Sequence, residues 1–190
     1  SLDAFSQGSG VVPYAYFRFV DQGDENTQQQ MEDYVNDLVI DLDEVSNQPP
    51  YFWLRDFQNF TLTNGNSAMS FGKQMDAFLN NSVYRDLYSD EIVRDQQGNI
   101  VASRAWFRMD RVDMDDMKDQ IEALSAQSEV GQAQPVNQGH RDNDWSFFTL
   151  SSTYPLWEFY SVVNAELGLS IAVAVVSVTI LGALCIPHWS

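Results

Sequence analysis

The strongest constraint on this chain is a run near its end that carries no charge. From Leu167 to Pro187 it reads LGLSIAVAVVSVTILGALCIP, twenty-one residues without Asp, Glu, Lys or Arg. A helix rising about 1.5 Å per residue would make that run roughly 32 Å long, against a bilayer hydrocarbon core of about 30 Å. Leu, Ile and Val each favour insertion by about 0.3–0.6 kcal/mol, and no charged residue opposes them. The competing reading is the core helix of a soluble protein, but such helices are seldom so long and so free of charge. The expectation is one transmembrane helix over 167–187, with Cys185 inside it. Trp157, Phe159 and Tyr160 precede the run and Trp189 follows it, as side chains at two membrane–water interfaces would. Ser170, Ala174 and Ser177 are small residues at near-helical spacing and suit close packing against neighbouring helices.

Every charged side chain therefore lies in residues 1–166. There 27 acidic residues outweigh 10 basic ones, for a net charge of −17. That balance argues against nucleic acid and against anionic lipid headgroups as partners, because both need a positive surface. Hydrophobic residues make up 44% of the chain and aromatics 13%, enough for a folded core. The single cysteine rules out an internal disulfide framework and a cysteine-rich zinc site. Ser1 begins the chain with neither an initiator Met nor a signal peptide, so the expectation is an excerpt from a longer protein. No Lys or Arg follows the span, so charge bias does not orient it.

The remainder divides into a linker (1–10), an extramembrane α+β domain (11–153) and an amphipathic connector helix (154–166). Residues 11–20 predict a strand with Ala15, Phe17 and Phe19 on one face and Tyr14, Tyr16 and Arg18 on the other. Residues 27–45 predict a helix with Met31, Tyr34, Val35, Leu38, Val39, Leu42 and Val45 on one stripe, capped by Asn26 with Gln29. Short helices are expected over 51–60, with Trp53, Phe57 and Phe60 inward, and over 70–81, with Phe71, Met75, Phe78 and Leu79 inward. A hairpin turns at DQQGN into a strand over 100–112. Its inward face is Val101, Ala105, Phe107 and Met109, and its outward face Arg104, Arg108 and Asp110. A helix over 114–127 is expected to start at Asp113, stapled by Val112 and Met117, with Met114, Met117, Ile121 and Leu124 buried. Residues 128–144 read as a flexible loop, and 145–151 as a further strand. Two β–α crossovers imply a small sheet with helices on one face, as in split βαβ, ferredoxin-like domains.

No catalytic constellation emerges. His140 and His188 are the only histidines, and no G-x-S-x-G elbow occurs. The acidic clusters Asp110, Asp113, Asp115, Asp116 and Asp41, Asp43, Glu44 lack calcium-loop spacing and read as solvated helix faces and N-terminal turns. No metal and no cofactor is expected. Asn59-Phe60-Thr61 and Asn80-Asn81-Ser82 are glycosylation sequons, with Asn80 the favoured one because its neighbours are more polar. Arg104, Arg108 and Arg111 are expected to pair with acidic helix faces.

Three phrases occur in order: DEIVRDQQGNIVASRAWFRM, DMDDMKDQIEAL, and YPLWEFYSVVNAELGLSIAVAVVSVTILGALCIPHW. Together they resemble the Patched/Dispatched/Niemann–Pick type C family of resistance-nodulation-division (RND) permeases, over roughly residues 11–190. The match is to the second large lumenal or extracellular domain and the membrane helix after it. The carrying positions are Gly98, Ile100, Ala102 and Ser103, then the membrane-interface connector Tyr154, Pro155, Trp157, Glu158 and Tyr160. Phe159 stands where the family often has Gln, and the extramembrane part lacks the cysteines of the Niemann–Pick type. The resemblance implies an RND porter-type domain on a multi-pass integral membrane protein, with the bulk of this chain lumenal or extracellular. It implies transport or sensing of a sterol or other lipid, with Arg104 and Arg108 lining a tunnel toward a pseudo-repeat of this domain. The implied partners are the lipid bilayer, a sterol or lipid ligand, and the other transmembrane and extramembrane domains of the same protein. No enzymatic activity is expected. The alternatives are a single-pass membrane-anchored extracellular binding or adhesion domain, and a soluble domain whose last helix is core.

Overall fold

The computed structural model of the protein describes residues 10–46, 48–64 and 68–185. In chain order they form β1 (Tyr14–Arg18), α1 (Glu25–Ile40), α2 (Trp53–Thr63), α3 (Phe71–Asn80), α4 (Ser82–Tyr88), β2 (Ile92–Arg94), β3 (Ile100–Trp106), α5 (Met117–Ala133), β4 (Phe147–Leu150) and α6 (Tyr154–Cys185). The architecture is α+β, with one four-stranded sheet in the order β2-β3-β1-β4. Every pairing is antiparallel, so β1 and β2 run the same way with β3 between them.

Period-two alternation along β1 explains where the core sits. Ala15 and Phe17 are fully buried, whereas Tyr14, Tyr16 and Arg18 are half-buried on the other face. Phe17 is the hub. Its ring meets Phe147 of β4 edge-on at 5.1 Å, Tyr34 of α1 edge-on at 6.1 Å, and Phe52 in a stack at 5.6 Å. Burying such a ring is worth about 1.5–3 kcal/mol, and each ring pair adds about 0.5–1.5 kcal/mol. Gln22 closes the end of β1. Its amide donates to the Phe17 carbonyl (3.1 Å) and its oxygen accepts from Ser103 Oγ (2.6 Å). A second aromatic cluster joins α2, α3 and α4, where Phe78 meets Phe57 at 5.6 Å and Tyr84 at 4.5 Å. The α4 helix restarts the chain directly after α3, because Asn81 Oδ1 accepts from Val83 N at 3.0 Å.

Several expectations are corrected. The cap of α1 is Asp24, whose carboxylate accepts from Thr27 N at 2.9 Å. Gln29 bonds to Asp33 instead of reaching back to the cap. The helix stops at Ile40, not Val45. Asp41, Asp43 and Glu44 would crowd negative charge onto a C-terminus that already carries partial negative charge. Val45 is still buried, through a bridge to Met109. Phe19 is 74% exposed, not inward, because its φ of 59° turns the chain out of the strand.

On β3 the pairing steps from Val93↔Ala102 to Arg94↔Ile100, which leaves Val101 as an extra residue. That bulge reverses the alternation, so Ile100 is buried and Val101 exposed. The strand ends at Trp106, and beyond it Met109 makes only isolated bridges, to Val11 and Val45. Of the linker 1–10, only Gly10 is among the described residues, and Val11 is already bridged to Met109.

The α5 helix starts at Met117 with Asp116 as its cap, and its acceptor bond runs to Lys118 N. The Val112–Met117 staple does not form. Met114 and Met117 are 38% and 47% exposed. The buried stripe is Gln120, Ala123, Gln127 and Gly131, with Leu124 half-buried beside it. Residues 128–144 are not a free loop. The α5 helix continues to Ala133, and short 3-10 turns follow at Pro135–Asn137 and Asp142–Asp144. Asn137 is buried and fixes this segment to the sheet. Its amide nitrogen donates to the carbonyls of Gly131 (2.7 Å) and Phe147 (2.6 Å), and its oxygen accepts from Ser146 N (2.8 Å) and Phe147 N (3.1 Å).

The cap assignment is testable. Asp24→Ala is expected to cost about 1 kcal/mol of stability, and Asn26→Ala close to nothing, in denaturant unfolding followed by circular dichroism. Equal losses at the two positions would contradict the placement of the helix start.

Candidate functional site

The feature that most limits what this molecule can do is the way α6 leaves the domain. Its start is set by the turn Ser151–Thr153, where Tyr154 N donates to the Ser151 carbonyl at 3.2 Å. Pro155 sits in the first turn, where a missing N–H removes no helical bond. Tyr154 and Trp157 are 2% and 1% exposed and stack at 5.4 Å. The Tyr154 hydroxyl donates to Gln127 Oε1 on α5, and the Gln127 amide contacts Met109 Sδ at 2.9 Å. The other side of these turns is open: Leu156, Glu158 and Phe159 are exposed and Tyr160 is half-buried.

From Ser161 to Leu181 every described side chain is exposed, and after Glu166 they are aliphatic except Ser170, Ser177 and Thr179. Ser177 and Thr179 turn their hydroxyls back onto the carbonyls of Val173 (2.7 Å) and Val175 (2.8 Å), so these polar groups are satisfied without solvent. Among the described residues, one helix is long and apolar enough to cross a membrane, over Tyr154–Gly182.

The connector continues into the predicted span as one uninterrupted helix, to Cys185. One expectation changes here: Trp157 is not an interfacial side chain, because the domain encloses it. His188 and Trp189 lie outside the described residues, as does the end of the predicted span.

Arg104 lies on the outer face of the sheet, away from the helices. Its guanidinium forms a two-pronged pair with Glu91 (Nε–Oε2 2.5 Å, Nη2–Oε1 3.3 Å) and covers the Tyr14 ring at 4.5 Å. Its partner is therefore in the turn before β2, not on an acidic helix face. On the same sheet face Tyr16 stacks on Phe148 at 5.3 Å, beneath the Arg18 guanidinium. Arg108 is half-buried beyond the end of β3, with Ser46 N donating to its carbonyl at 2.8 Å. Arg111 Nη1 donates to the Asp43 carbonyl at 3.2 Å.

The two sequons sit in different settings. Asn59 is exposed in the interior of α2, and Thr61, its third residue, is buried. Asn80 is exposed at the last residue of α3, beside the break into α4. Among the described residues no three His, Cys, Asp or Glu side chains converge as a metal-ligand set.

Sequence reasoning missed Gln127 and Asn137. Apolar periodicity passes over a glutamine on a buried stripe, and Asn in a Gly/Pro-containing stretch looks like turn chemistry. No family model matches this chain, and no curated protein matches it.

Trp157→Ala is expected to destabilise the domain by about 3–5 kcal/mol. Phe159→Ala, on the exposed side of the same turn, should leave its unfolding midpoint nearly unchanged. Thermal unfolding of both variants distinguishes a docked helix start from one lying at a membrane surface, for which the two losses would be similar.

Proposed function

We propose that this chain is one extramembrane domain and one membrane helix of a multi-pass, Patched-like RND permease that transports or senses a sterol or another lipid. The observation that carries this reading is the uninterrupted α6, packed into the domain at Tyr154 and Trp157, exposed from Ser161 to Leu181 at its described side chains and free of charge after Glu166. A helix of that kind satisfies its own backbone in hydrocarbon and needs no further protein around it. The sheet adds support. An order of β2-β3-β1-β4, with helices between β1 and β2 and between β3 and β4, is the strand order of a split βαβ, ferredoxin-like domain. The phrases that resemble the permease family fall on the β2–β3 hairpin, on α5 and on α6.

In this reading the domain is lumenal or extracellular, the bilayer surrounds the lower part of α6, and the rest of the same protein packs beside it. The domain binds or conducts the hydrophobic substrate, and Arg104 and Arg108 belong to the polar lining of its path. Rocking of one repeat against the other would drive transport. The chain itself performs no covalent chemistry. A second reading, a single-pass membrane-anchored binding or adhesion ectodomain, is favoured by the single candidate span among the described residues.

Photoreactive sterol labelling of the full-length protein in its native membrane separates the two. Saturable labelling that unlabelled sterol competes away, in a protein whose reading frame encodes further spans after Ser190, is the expected result. Unsaturable labelling, with a cytoplasmic tail or a stop after Ser190, sinks the permease reading and leaves the anchored ectodomain. Topology has its own check. Asn80→Gln should abolish an endoglycosidase-sensitive gel shift in a eukaryotic secretory host, and Asn59→Gln should not, because an acceptor Asn belongs on an accessible surface loop.

A further inference from the structure

We propose that the cavity between α5, β4 and the first turns of α6 binds a small uncharged molecule, ring-sized, that carries one hydrogen-bond-accepting oxygen. The cavity measures about 210 Å³. An apolar cavity of about 150 Å³ already admits benzene, so this one has room for a substituted ring. The inference does not depend on the permease reading, since it concerns only how the domain packs.

Two locally unfavourable features meet at this cavity. The first is Tyr34 of α1, which lines its wall and is fully buried, yet its hydroxyl has no hydrogen-bond partner in the protein. A buried hydroxyl without a partner is costly, and nearly all are satisfied. Burial pushes the Tyr34 phenol well above its usual range, with Tyr154 adding to the effect, so it stays a neutral donor. The neighbouring polar groups are already committed, because the Tyr154 hydroxyl donates to Gln127 and the Gln127 amide is held at Met109 Sδ and the Ala123 carbonyl. The Tyr34 hydroxyl is the buried lining group left without a partner, and it can donate to an acceptor.

The second feature is Gly131. A glycine inside a helix is disfavoured relative to alanine, and α5 places this one on its buried stripe. A Cβ there would lie 3.2 Å from the Trp145 ring and 3.7 Å from the Tyr34 hydroxyl. The missing side chain therefore leaves room for the Trp145 ring and the Tyr34 hydroxyl beside α5. Local rules broken together at one place are what a binding site produces.

The rest of the wall sets the ligand class. Leu124, Trp145, Phe148 and Leu150 offer apolar surface for a ring. Ser128 and Thr149 also line it, with Asp142 and Glu158, both exposed; in a chain of net charge −17 these two carboxylates turn away carboxylates and phosphates.

The test uses the whole chain in detergent micelles with para-fluorobenzyl alcohol as the probe, followed by its fluorine NMR signal. The expected result is saturable binding that Tyr34→Phe weakens by about three- to tenfold, the worth of one hydrogen bond. Para-fluorotoluene, which has no acceptor, should bind the wild type and Tyr34→Phe alike, and para-fluorobenzoate should not compete. Gly131→Val should abolish binding. Leu124→Trp, which fills the cavity from a half-buried position, gives the same readout if the valine variant fails to fold. Partition into micelles without saturation, or equal affinity of the alcohol for the wild type and Tyr34→Phe, overturns the proposal and leaves a cavity that holds water.

Discussion

A helix that begins inside a packed core and continues as a bare apolar rod has to satisfy two solvents at once. Here the division falls within two turns, between Trp157 and Ser161. Before it, Tyr154 and Trp157 are enclosed by the domain; after it, the described side chains to Leu181 are exposed and, beyond Glu166, uncharged. The enclosure depends on α5, whose inward stripe is Gln120, Ala123, Gln127 and Gly131. Bulky aliphatics there would hold α6 away from α5. Two small residues let large aromatic rings approach, and Gln127 satisfies the Tyr154 hydroxyl that comes with one of them. The long apolar helix is thus anchored by a stripe that looks like poor core material when read in isolation.

The same logic separates what the sequence made legible from what it hid. β1, the second and third helices, the DQQGN hairpin and the long apolar run follow from alternation, aromatic spacing and absence of charge, and these are local signals. The face of α5 was misjudged because Met114, Met117 and Ile121 make a better apolar stripe than the one the fold uses. Tertiary context decided, since Gln127 and Gly131 lie opposite Tyr154 and Trp145. Residues 128–144 have loop composition, yet Asn137 makes four hydrogen bonds to backbone groups. Those partners are brought to it by β4 and the end of α5, and nothing in a single sequence marks that convergence. The Val101 bulge was hidden for a simpler reason: one residue of slip in a hairpin exchanges its two faces, and several apolar residues in succession read equally well in either phase. Of the candidate positions, the burial of Trp157 was not legible.

Charge and fold are distributed so that they do not interfere. The acidic side chains lie in the domain and its loops, while the apolar helix carries none after Glu166. On the outer sheet face the few cations are tied down, Arg104 by Glu91 and Tyr14, and Arg18 by Phe148 and the carbonyls of Asn143 and Trp145. That face is therefore aromatic, with both cations held in place, in a strongly negative molecule. Such a surface carries less of the cost of desolvating free charges.

The continuity of α6 has a mechanical meaning. Its 32 residues span roughly 48 Å at about 1.5 Å per residue, with no proline after Pro155 among them. A helix without a break transmits rotation along its whole length, so it works as a lever with the domain fixed to one arm. A tilt of about 20°, the average for membrane helices, displaces the far end by roughly 16 Å. Reorientations of the far end therefore become large sideways movements of Tyr154, Trp157 and the sheet behind them, with no break in the helix to absorb them.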